Sequence, residues 1–482
     1  MDKACRISGG LAVTALVWGL AGCVAVPRDR PLLHPLAAEA LLPPDAPALA
    51  INQQWWQALG DPQLDRIMND ALAGNPGLDL AAARLRQAQQ VIGIAHAGLE
   101  PRIGIDAQET GERLSGKYII PPPYAGTARW VGTVQAGLSW SLDVAGRQKA
   151  LVDAARAQAN GAGFDLAAAR IVLSGAVAQA YLNLRRAGLQ ASIADRFVAS
   201  REDQARLARS RRRNALGSDF DLRAAETLLA EARQARVRAD GERAMMVHAL
   251  AALAGQGAGA YADILTPVVA VENATPVPDH LPADLLARRP DVLAAQARMA
   301  SAEAGLRVER AGFYPDIDLK AFAGVSAIGL SSLFTGGATT MGAGPALHLP
   351  IFEGGRLRAS YRAAVAGQDV AIAQYNAAVL GAVREAADAL SAIETNQRAT
   401  AQQQVIEQGL ADTVRLDEAR VRAGLSARLD ILDAQDRELV AAQRLADLRV
   451  DGALARIQLI VALGGGFPSP SGDAAPPLAL RR

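Results

Sequence analysis

The sequence predicts an α+β membrane protein built from two copies of one unit, in which two strands are followed by a long helical hairpin. Three observations predict this class: two tracts rich in Ala and free of Pro, short stretches of alternating polarity ahead of each tract, and landmarks that recur in the same order in both halves. The 482 residues are 50% hydrophobic but only 4% aromatic. Small side chains suit close helix packing better than the several globular domains that the length alone suggests.

The charge balance excludes one class of partner. The chain has 50 basic and 49 acidic residues, so it lacks the positive excess of a nucleic-acid binder. Its hydrophobic content excludes a disordered chain as well. We therefore expect no nucleic-acid partner.

Residues 1–22 have the layout of a cleaved secretory signal. Basic residues precede an apolar run over residues 7–20, and small residues lie directly before Cys23. This segment resembles the bacterial lipobox, in which the cysteine is lipidated and becomes the mature N-terminus. The resemblance implies a covalent lipid on Cys23, with Val24 favouring sorting to the outer membrane. The alternatives are a plain signal peptide and a short membrane anchor with an incidental cysteine.

Residues 23–60 are predicted to form a lipidated, Pro-rich tether. Cleavage before Cys23 removes Cys5, so the mature chain keeps a single, modified cysteine and forms no intrachain disulfide or thiolate metal cluster. Six prolines between residues 24 and 47 predict an extended conformation. We expect the tether to join the membrane anchor to the folded chain.

The same landmarks occur twice along the chain. Pro76 and Pro290 each open an Ala-rich helical stretch, and a second proline, Pro101 or Pro315, follows at the same spacing in both copies. Such internal repetition indicates a duplicated unit. The landmarks divide the chain into a first copy at residues 61–256, an inter-repeat linker at 257–283, a second copy at 284–466 and a C-terminal tail at 467–482.

Each copy ends in a predicted helical hairpin. Proline is absent from both tracts, and an interior proline costs a helix about 3 kcal/mol. The first arms, residues 147–213 and 356–422, each predict roughly 100 Å of helix at 1.5 Å per residue. In the segments 214–218 and 423–426, glycine followed by serine is expected to end one helix and cap the next. A cytosolic coiled-coil rod is the alternative, but such a rod would not carry a secretory signal.

Residues 130–142 alternate between apolar or small side chains and polar ones, as in a strand with unlike faces. On a strand tilted by about 40°, Trp130 and Trp140 differ by about 25 Å in height along the membrane normal, which is the height of the apolar band of an outer-membrane barrel. We predict that the two tryptophans lie in its two aromatic girdles. A soluble sandwich strand with two core tryptophans is the alternative.

Alternating polarity predicts four strands in all, two in each copy. The other three lie at residues 102–108, 316–323 and 341–349. Four strands cannot close a barrel, and an open sheet edge in lipid leaves backbone groups unpaired. Several chains must therefore contribute strands to one barrel.

Ordered motifs along the chain resemble those of the TolC family. They are Trp-Trp-Gln-Ala-Leu-Gly-Asp-Pro-Gln-Leu at residues 55–64, Leu-Pro at 281–282, Arg-Arg-Pro-Asp at 288–291, Pro-Ile-Phe-Glu-Gly-Gly-Arg at 350–356 and Leu-Gly-Gly-Gly at 463–466. The chain is similar to the outer-membrane efflux lipoproteins of this family, in the NodT-type branch that serves resistance-nodulation-division multidrug pumps. The resemblance covers essentially the whole mature chain.

The resemblance implies a homotrimer with a twelve-stranded transmembrane β-barrel that continues into a twelve-helix periplasmic α-barrel. The implied function is a passive exit channel in the outer membrane of a Gram-negative bacterium, set among outer-membrane lipids, that exports drugs and other toxic small molecules. An inner-membrane resistance-nodulation-division pump would deliver them through a periplasmic adaptor protein. The alternatives are the exit duct of a type I protein-secretion system and a non-conducting envelope scaffold.

The resemblance also implies a periplasmic gate near the second helix turn. The segment 429–435 resembles the family segment whose aspartates ring the closed pore, which gives that role to Asp430 and Asp433. Three copies of a carboxylate on one axis attract cations, and Arg422 or Arg428 would hold the constriction shut by pairing with it. The alternative is that Asp430 only caps the start of the returning helix.

The first helix turn differs from the second. It offers Asp221 but has Ala224 where the second acid would fall. Cations are favoured at helix C-termini, so a capping role is expected here, rather than docking of a partner, for four arginines: Arg209, Arg211, Arg212 and Arg213.

No constellation of catalytic residues is present in the sequence. Residues 111–117 imitate a phosphate-binding loop, but Tyr118 stands where Ser or Thr should reach magnesium, and the prolines at 121–123 prevent a following helix. The five histidines lack the i, i+4 pairs of a zinc helix. We expect no enzymatic activity and no cofactor apart from the lipid on Cys23.

Overall fold

The computed structural model describes residues 26–37, 51–117, 119–267 and 289–468. The predicted signal peptide and Cys23 lie outside these residues, as do parts of the tether, the inter-repeat linker and the C-terminal tail. The assignments made for those segments stay predictions.

Both copies fold into the predicted series of elements. In the first copy a short helix α1 precedes a helix, two strands and two helices: α1 (Pro62–Gly74), α2 (Pro76–His96), β1 (Arg102–Arg113), β2 (Ala128–Ser141), α3 (Arg147–Arg213) and α4 (Asp219–Leu253). The second copy contains α5 (Pro290–Ala311), β3 (Asp316–Ile328), β4 (Thr339–His348), α6 (Arg356–Arg422) and α7 (Arg428–Ala462). The four predicted strands and both helical hairpins are confirmed, including the bounds of α3 and α6.

The chain divides into two compact units, and each unit takes segments from both copies. One unit contains residues 1–35, 84–162 and 295–375 and includes the sheet. The other contains residues 36–83, 163–294 and 376–482 and includes both helix turns.

The sheet is antiparallel, with the strands in the order β1-β2-β3-β4. Its register separates two faces. The rows Ile103–Leu138–Ala321–Ala343 and Ile105–Ala136–Ala323–Met341 lie on an apolar face. On the other face lie polar rows such as Gln108–Thr133–Ser326, in which the Thr133 and Ser326 hydroxyls are 3.1 Å apart. Since the strand period is two, this register holds every apolar side chain of these rows on one face.

The helical unit is held together by the tryptophan-containing motif ahead of α1. Trp55 and Trp56 are buried with edge-to-face rings 6.0 Å apart, in a core shared with α1, α3, α4 and α7. The Asp61 side chain caps α1 by accepting from the Gln63 N–H at 2.9 Å, and it also accepts from the Tyr181 hydroxyl at 2.6 Å. Burial and the hydrogen bond to Asp61 raise the pKa of Tyr181. The motif thus fixes α1 to the middle of α3.

The residue before the repeated proline has the same role in both copies. Asn75 Nδ2 donates to the carbonyl of Leu253 at 2.9 Å, and Arg289 Nη1 donates to the carbonyl of Ala462 at 2.9 Å. Both acceptors lie at the end of the helix that returns from the turn, where carbonyls lack intrahelical partners. Two different side chains therefore tie the start of one helix to the end of another.

The tether is bound to the fold, in contrast to a free linker. The backbone N–H groups of Leu32 and Leu33 both donate to Asp369 Oδ1 at 2.9 Å, and the Tyr361 hydroxyl donates to the carbonyl of Asp29 at 3.2 Å. Val26 packs against a cluster that includes Phe313. Residues 26–33 therefore lie along the first turns of α6.

The two helix turns end their first helix with different residues in the left-handed conformation. Gly424 has φ 73° after α6, whereas Ala215 has φ 56° after α3. In both turns the next amide, of Leu425 or Leu216, donates back to a carbonyl in the last helical turn. The expectation that glycine ends both helices is therefore wrong for the first turn, because Gly217 lies two residues beyond the left-handed position.

Substitutions at the two left-handed positions, Ala215 and Gly424, should have opposite effects on the free energy of unfolding. An L side chain in the left-handed region costs about 1 kcal/mol, so Ala215→Gly should raise the free energy of unfolding by about that amount and Gly424→Ala should lower it. Urea unfolding of the detergent-solubilised protein, followed by circular dichroism, measures both. Equal shifts in the same direction would contradict the assignment of these two positions.

Candidate functional site

The turn between α6 and α7 carries the predicted gate residues. The Asp430 side chain accepts from the Ala427 N–H at 2.9 Å and from the Ser426 hydroxyl at 2.6 Å. The Ser426 hydroxyl and, next, the Ala427 amide hold the pKa of Asp430 below its usual range. A lowered pKa means that Asp430 stabilises the turn at neutral pH and that this contribution is lost only as pH falls through the lowered value. The capping role is therefore present, and both contacts of the cap use the same carboxylate oxygen, Oδ2.

The turn between α3 and α4 has a more complete cap. Ser218 and Asp221 form a reciprocal pair, since the Asp221 N–H donates to Ser218 Oγ at 3.1 Å and the Ser218 N–H donates to Asp221 Oδ2 at 3.0 Å. The equivalent of Ser218 in the second turn is Ala427, which has no hydroxyl. Ser426, one residue earlier, supplies the hydroxyl to Asp430 instead.

Three acids follow one another along the first turns of α7 in three different environments. Asp430 caps the helix, Asp433 is exposed, and Asp436 is only 8% exposed. Asp436 accepts from Ser200 Oγ at 2.9 Å and from Gln204 Nε2 at 2.8 Å, and it forms a salt bridge of 2.9 Å with Arg201. Asp436 therefore fastens α7 to α3.

Sequence reasoning missed this network. A signal was present: Leu432, Asp436 and Leu439 follow the apolar spacing of α7, so an acid occupied a position on the buried stripe. Its partners lie far away in the chain on α3. Only the packing of the two helices brings them together.

The predicted partners of the gate acids lie elsewhere within this chain. Arg428 is 3.8 Å from Asp203 on α3, and Arg422 Nε donates to the carbonyl of Glu418 at 3.3 Å. Among the described residues, neither arginine pairs with Asp430 or Asp433. Pairing between subunits remains a prediction.

The arginine cluster at the end of α3 faces acids of its own hairpin. Arg209 forms a salt bridge of 3.1 Å with Glu226, and Arg212 forms one with Asp219 across the turn. Exposed pairs of this kind contribute about 0–1 kcal/mol each. The cluster thus balances the acids at the start of α4.

Trp130 and Trp140 lie on the same face of β2, near its two ends. Trp130 is 60% exposed, and its ring covers Gly111 on β1. Trp140 Nε1 donates to the carbonyl of Leu99 at 2.8 Å, next to the start of β1. Both side chains belong to the apolar face defined by the register. Their place in aromatic girdles remains a prediction.

A known family matches most of the chain. The family described as outer membrane efflux protein matches residues 67–256 and 281–465. The chain belongs to this family. This efflux protein is therefore an outer-membrane efflux channel and not an enzyme.

Relatives of this efflux protein cover most of its length. It is 34% identical to the fusaric acid resistance protein FusA of Burkholderia cepacia over 74% of this chain and 69% of that protein. It is 30% identical to the multidrug resistance outer membrane protein MdtQ of Escherichia coli O157:H7 over 95% and 98% of the two chains. The crystal structure of the outer membrane protein VceC from Vibrio cholerae is similar with a TM-score of 0.79 and 29% identity, covering 87% of this chain and 100% of that one.

The described part of this efflux protein contains no group of three or more His, Cys, Asp or Glu side chains that could hold a metal ion.

Removal of Asp433 and removal of Asp436, one helical turn apart on α7, should change the free energy of unfolding by different amounts. Asp436→Ala leaves Arg201 partly buried without its partner, so it should lower the free energy of unfolding by about 2–3 kcal/mol. Asp433→Ala removes an exposed carboxylate and should change it by less than about 0.5 kcal/mol. Urea unfolding of the two variants side by side measures the difference, and a similar loss in both would contradict the assignment of Asp436 to the α3–α7 contact.

Proposed function

We propose that this chain forms the passive exit channel of a tripartite efflux system as a homotrimer. The observation that carries the proposal is the sheet: one mainly apolar face, interrupted by Glu109 and Arg113 in the second half of β1, an opposite face that carries the polar rows, and no partner strand at the outer edges of β1 and β4 among the described residues. In lipid these edges must be paired, and only a closed barrel pairs them all. Three chains supply twelve strands, an even number within the range of such barrels.

The number of helices fits the same trimer. Two hairpins per chain, α3–α4 and α6–α7, give twelve helices in a trimer and form the periplasmic α-barrel of the proposal. Their rows of Ala side chains support close packing between neighbouring helices. The sheet then lies in the outer membrane, and the helix turns lie in the periplasm.

The gate of the proposed channel lies at the second turn. Asp430 and Asp433 are exposed on α7, and the cap uses only one oxygen of Asp430. Three copies of these acids near the threefold axis form a cation-attracting constriction, because like charges at close quarters favour bound cations. Arg422 and Arg428, which lie on either side of the turn, hold this constriction closed through contacts between subunits.

The lipid anchor of the proposal is Cys23. Val26, three residues later in the chain, packs beside Phe313 at the end of α5 and Leu357 at the start of α6. These helix ends adjoin β3 and β4 in the sequence. A lipid on Cys23 would anchor the chain to the membrane, since an acyl chain contributes about 0.8 kcal/mol per buried methylene.

A periplasmic adaptor and an inner-membrane resistance-nodulation-division pump complete the proposed system. The names of relatives refer to resistance to fusaric acid and to several drugs. We infer drugs and other toxic small molecules as the exported class from these names.

Removal of the gate acids should open the channel. In planar lipid bilayers, Asp430→Ala combined with Asp433→Ala should raise the single-channel conductance several-fold, because the carboxylate constriction is lost. Asp221→Ala is the matched control: it removes the equivalent cap from a turn that has Ala224 in place of a second acid. The control should leave the conductance close to that of the wild type.

Absence of current in the wild type and in the double variant alike would exclude a channel and favour a scaffold. An equal rise in the Asp221→Ala control would attribute the effect to loss of the helix cap and would contradict the gate.

Lipidation of Cys23 is tested by labelling cells with radioactive palmitate. The wild-type protein should carry label, and Cys23→Ser should carry none. Cys5→Ser is the control and should keep the label, since Cys5 leaves with the signal peptide. Label that persists in Cys23→Ser would exclude Cys23 as the acylated residue.

A further inference from the structure

One row across the polar face of the sheet is almost bare of side chains. Gly104 on β1 pairs with Gly137 on β2, Gly137 pairs with Phe322 on β3, and Phe322 pairs with Gly342 on β4. Phe322 is the only Phe, Tyr or Trp on the polar face of the described strands, since Trp130 and Trp140 lie on the apolar face. A large aromatic ring therefore stands in a row of glycines on the face that otherwise carries polar groups.

The Phe322 ring is supported on one side and open on the other. It leans over Gly342, where an added Cβ would lie 2.8 Å from a ring carbon. Nothing lies within 4 Å of an added Cβ at Gly137 or Gly104. Phe322 is still 42% exposed. The two glycines leave a platform of bare backbone beside the ring. It extends over two strand spacings, about 10 Å, from Phe322 on β3 to Gly104 on β1.

The neighbouring row on one side of the platform is basic. Arg102 pairs with Ser139, and Ser139 pairs with Lys320, which lies two residues before Phe322 on β3. Both cations are exposed, and neither forms a salt bridge with another described residue. Lys320 and Phe322 are neighbours on the same face of β3, so their Cα atoms are about 6.6 Å apart. The ammonium group of Lys320 therefore lies within reach of a ligand that contacts the ring.

The two acidic groups on this face nearest the platform, Asp106 and Asp318, both lie farther from Phe322 than Lys320 does. Asp106, in the row on the other side, lies on β1, two strands away from Phe322. Asp318 lies on β3 beyond Lys320, four residues from Phe322. The charge next to the ring is therefore positive.

We propose that Phe322, the Gly104–Gly137 platform and Lys320 form a contact site for planar aromatic carboxylates in transit. The inference rests on the proposed trimeric channel, which places the polar face of the sheet on the lumen. The aromatic part of the ligand lies on the glycine platform against the edge of Phe322, and its carboxylate pairs with Lys320, with Arg102 adding to the positive potential. Each subunit supplies one such site.

Block of single-channel current by small aromatic ions tests the site. The probes are 2-naphthoate, 2-naphthylmethylammonium and acetate, added to one side of a bilayer that holds the wild type or the Asp430→Ala/Asp433→Ala channel, whichever conducts. 2-Naphthoate should block at a lower concentration than the naphthyl cation or acetate. Phe322→Ala should raise its half-blocking concentration about fivefold. Gly137→Val, which fills the platform beside the ring, should raise it as well.

Two further variants separate the roles of ring and charge. Lys320→Gln should remove the preference for the naphthyl anion over the naphthyl cation. Gln108→Ala, on the same face about 13 Å farther along β1, is the control and should leave block unchanged. Phe322→Leu keeps an apolar cover over Gly342 and guards against misfolding in Phe322→Ala; it too should weaken block.

Equal half-blocking concentrations in the wild type and both Phe322 variants would overturn the site while leaving the channel intact. A stronger block by the cation would overturn the assigned ligand class. Absence of current in both channel backgrounds would overturn the channel itself, and with it the site.

Discussion

Backbone hydrogen bonding in hydrocarbon is the constraint on which the rest of the molecule depends. A strand edge in lipid leaves N–H and C=O groups without partners, and each such group costs several kcal/mol. The chain provides only four strands in one antiparallel sheet, with β1 and β4 at its edges. The proposed trimer follows from this shortage of strands. A mainly apolar face opposite a face with polar rows is the form that a sheet between lipid and water requires.

Duplication supplied the scaffold, and divergence supplied the differences between its halves. Asn75 and Arg289 occupy equivalent positions and bind the end of the returning helix through different groups. The capping residues at the two helix turns differ more strongly between the copies. Ser218 and Asp221 cap the first turn reciprocally, whereas Asp430 in the second turn takes its hydroxyl partner from Ser426, and in both turns a single carboxylate oxygen makes the contacts. The second turn thus lacks the reciprocal cap, because Ala427 stands where the first turn has Ser218.

The start of α7 shows that acids of one type acquire distinct roles from their surroundings. Asp430, Asp433 and Asp436 are spaced three residues apart, so each acid is rotated by only about 60° around the helix axis from the one before it, and their different surroundings come from what packs against α7. The first caps the helix, the second faces solvent, and the third is buried against Arg201 on α3. Any movement that opens the turn must either keep the Asp436 contact as a pivot or break it. A firm contact directly beside two exposed acids suits a gate whose hinge is close to its charges.

The sequence by itself determined the local elements of this protein. The absence of proline and the recurrent turn residues located α3 and α6 to the residue, and period-two alternation located all four strands, because these signals depend on neighbours in the chain. Long-range partners were decided only by the tertiary structure. The left-handed residue at Ala215, the burial of Asp436 and the binding of residues 26–33 along α6 depend on which elements meet and in what register. Sequence periodicity gives a side chain its face on an element, and packing alone decides what that face contacts.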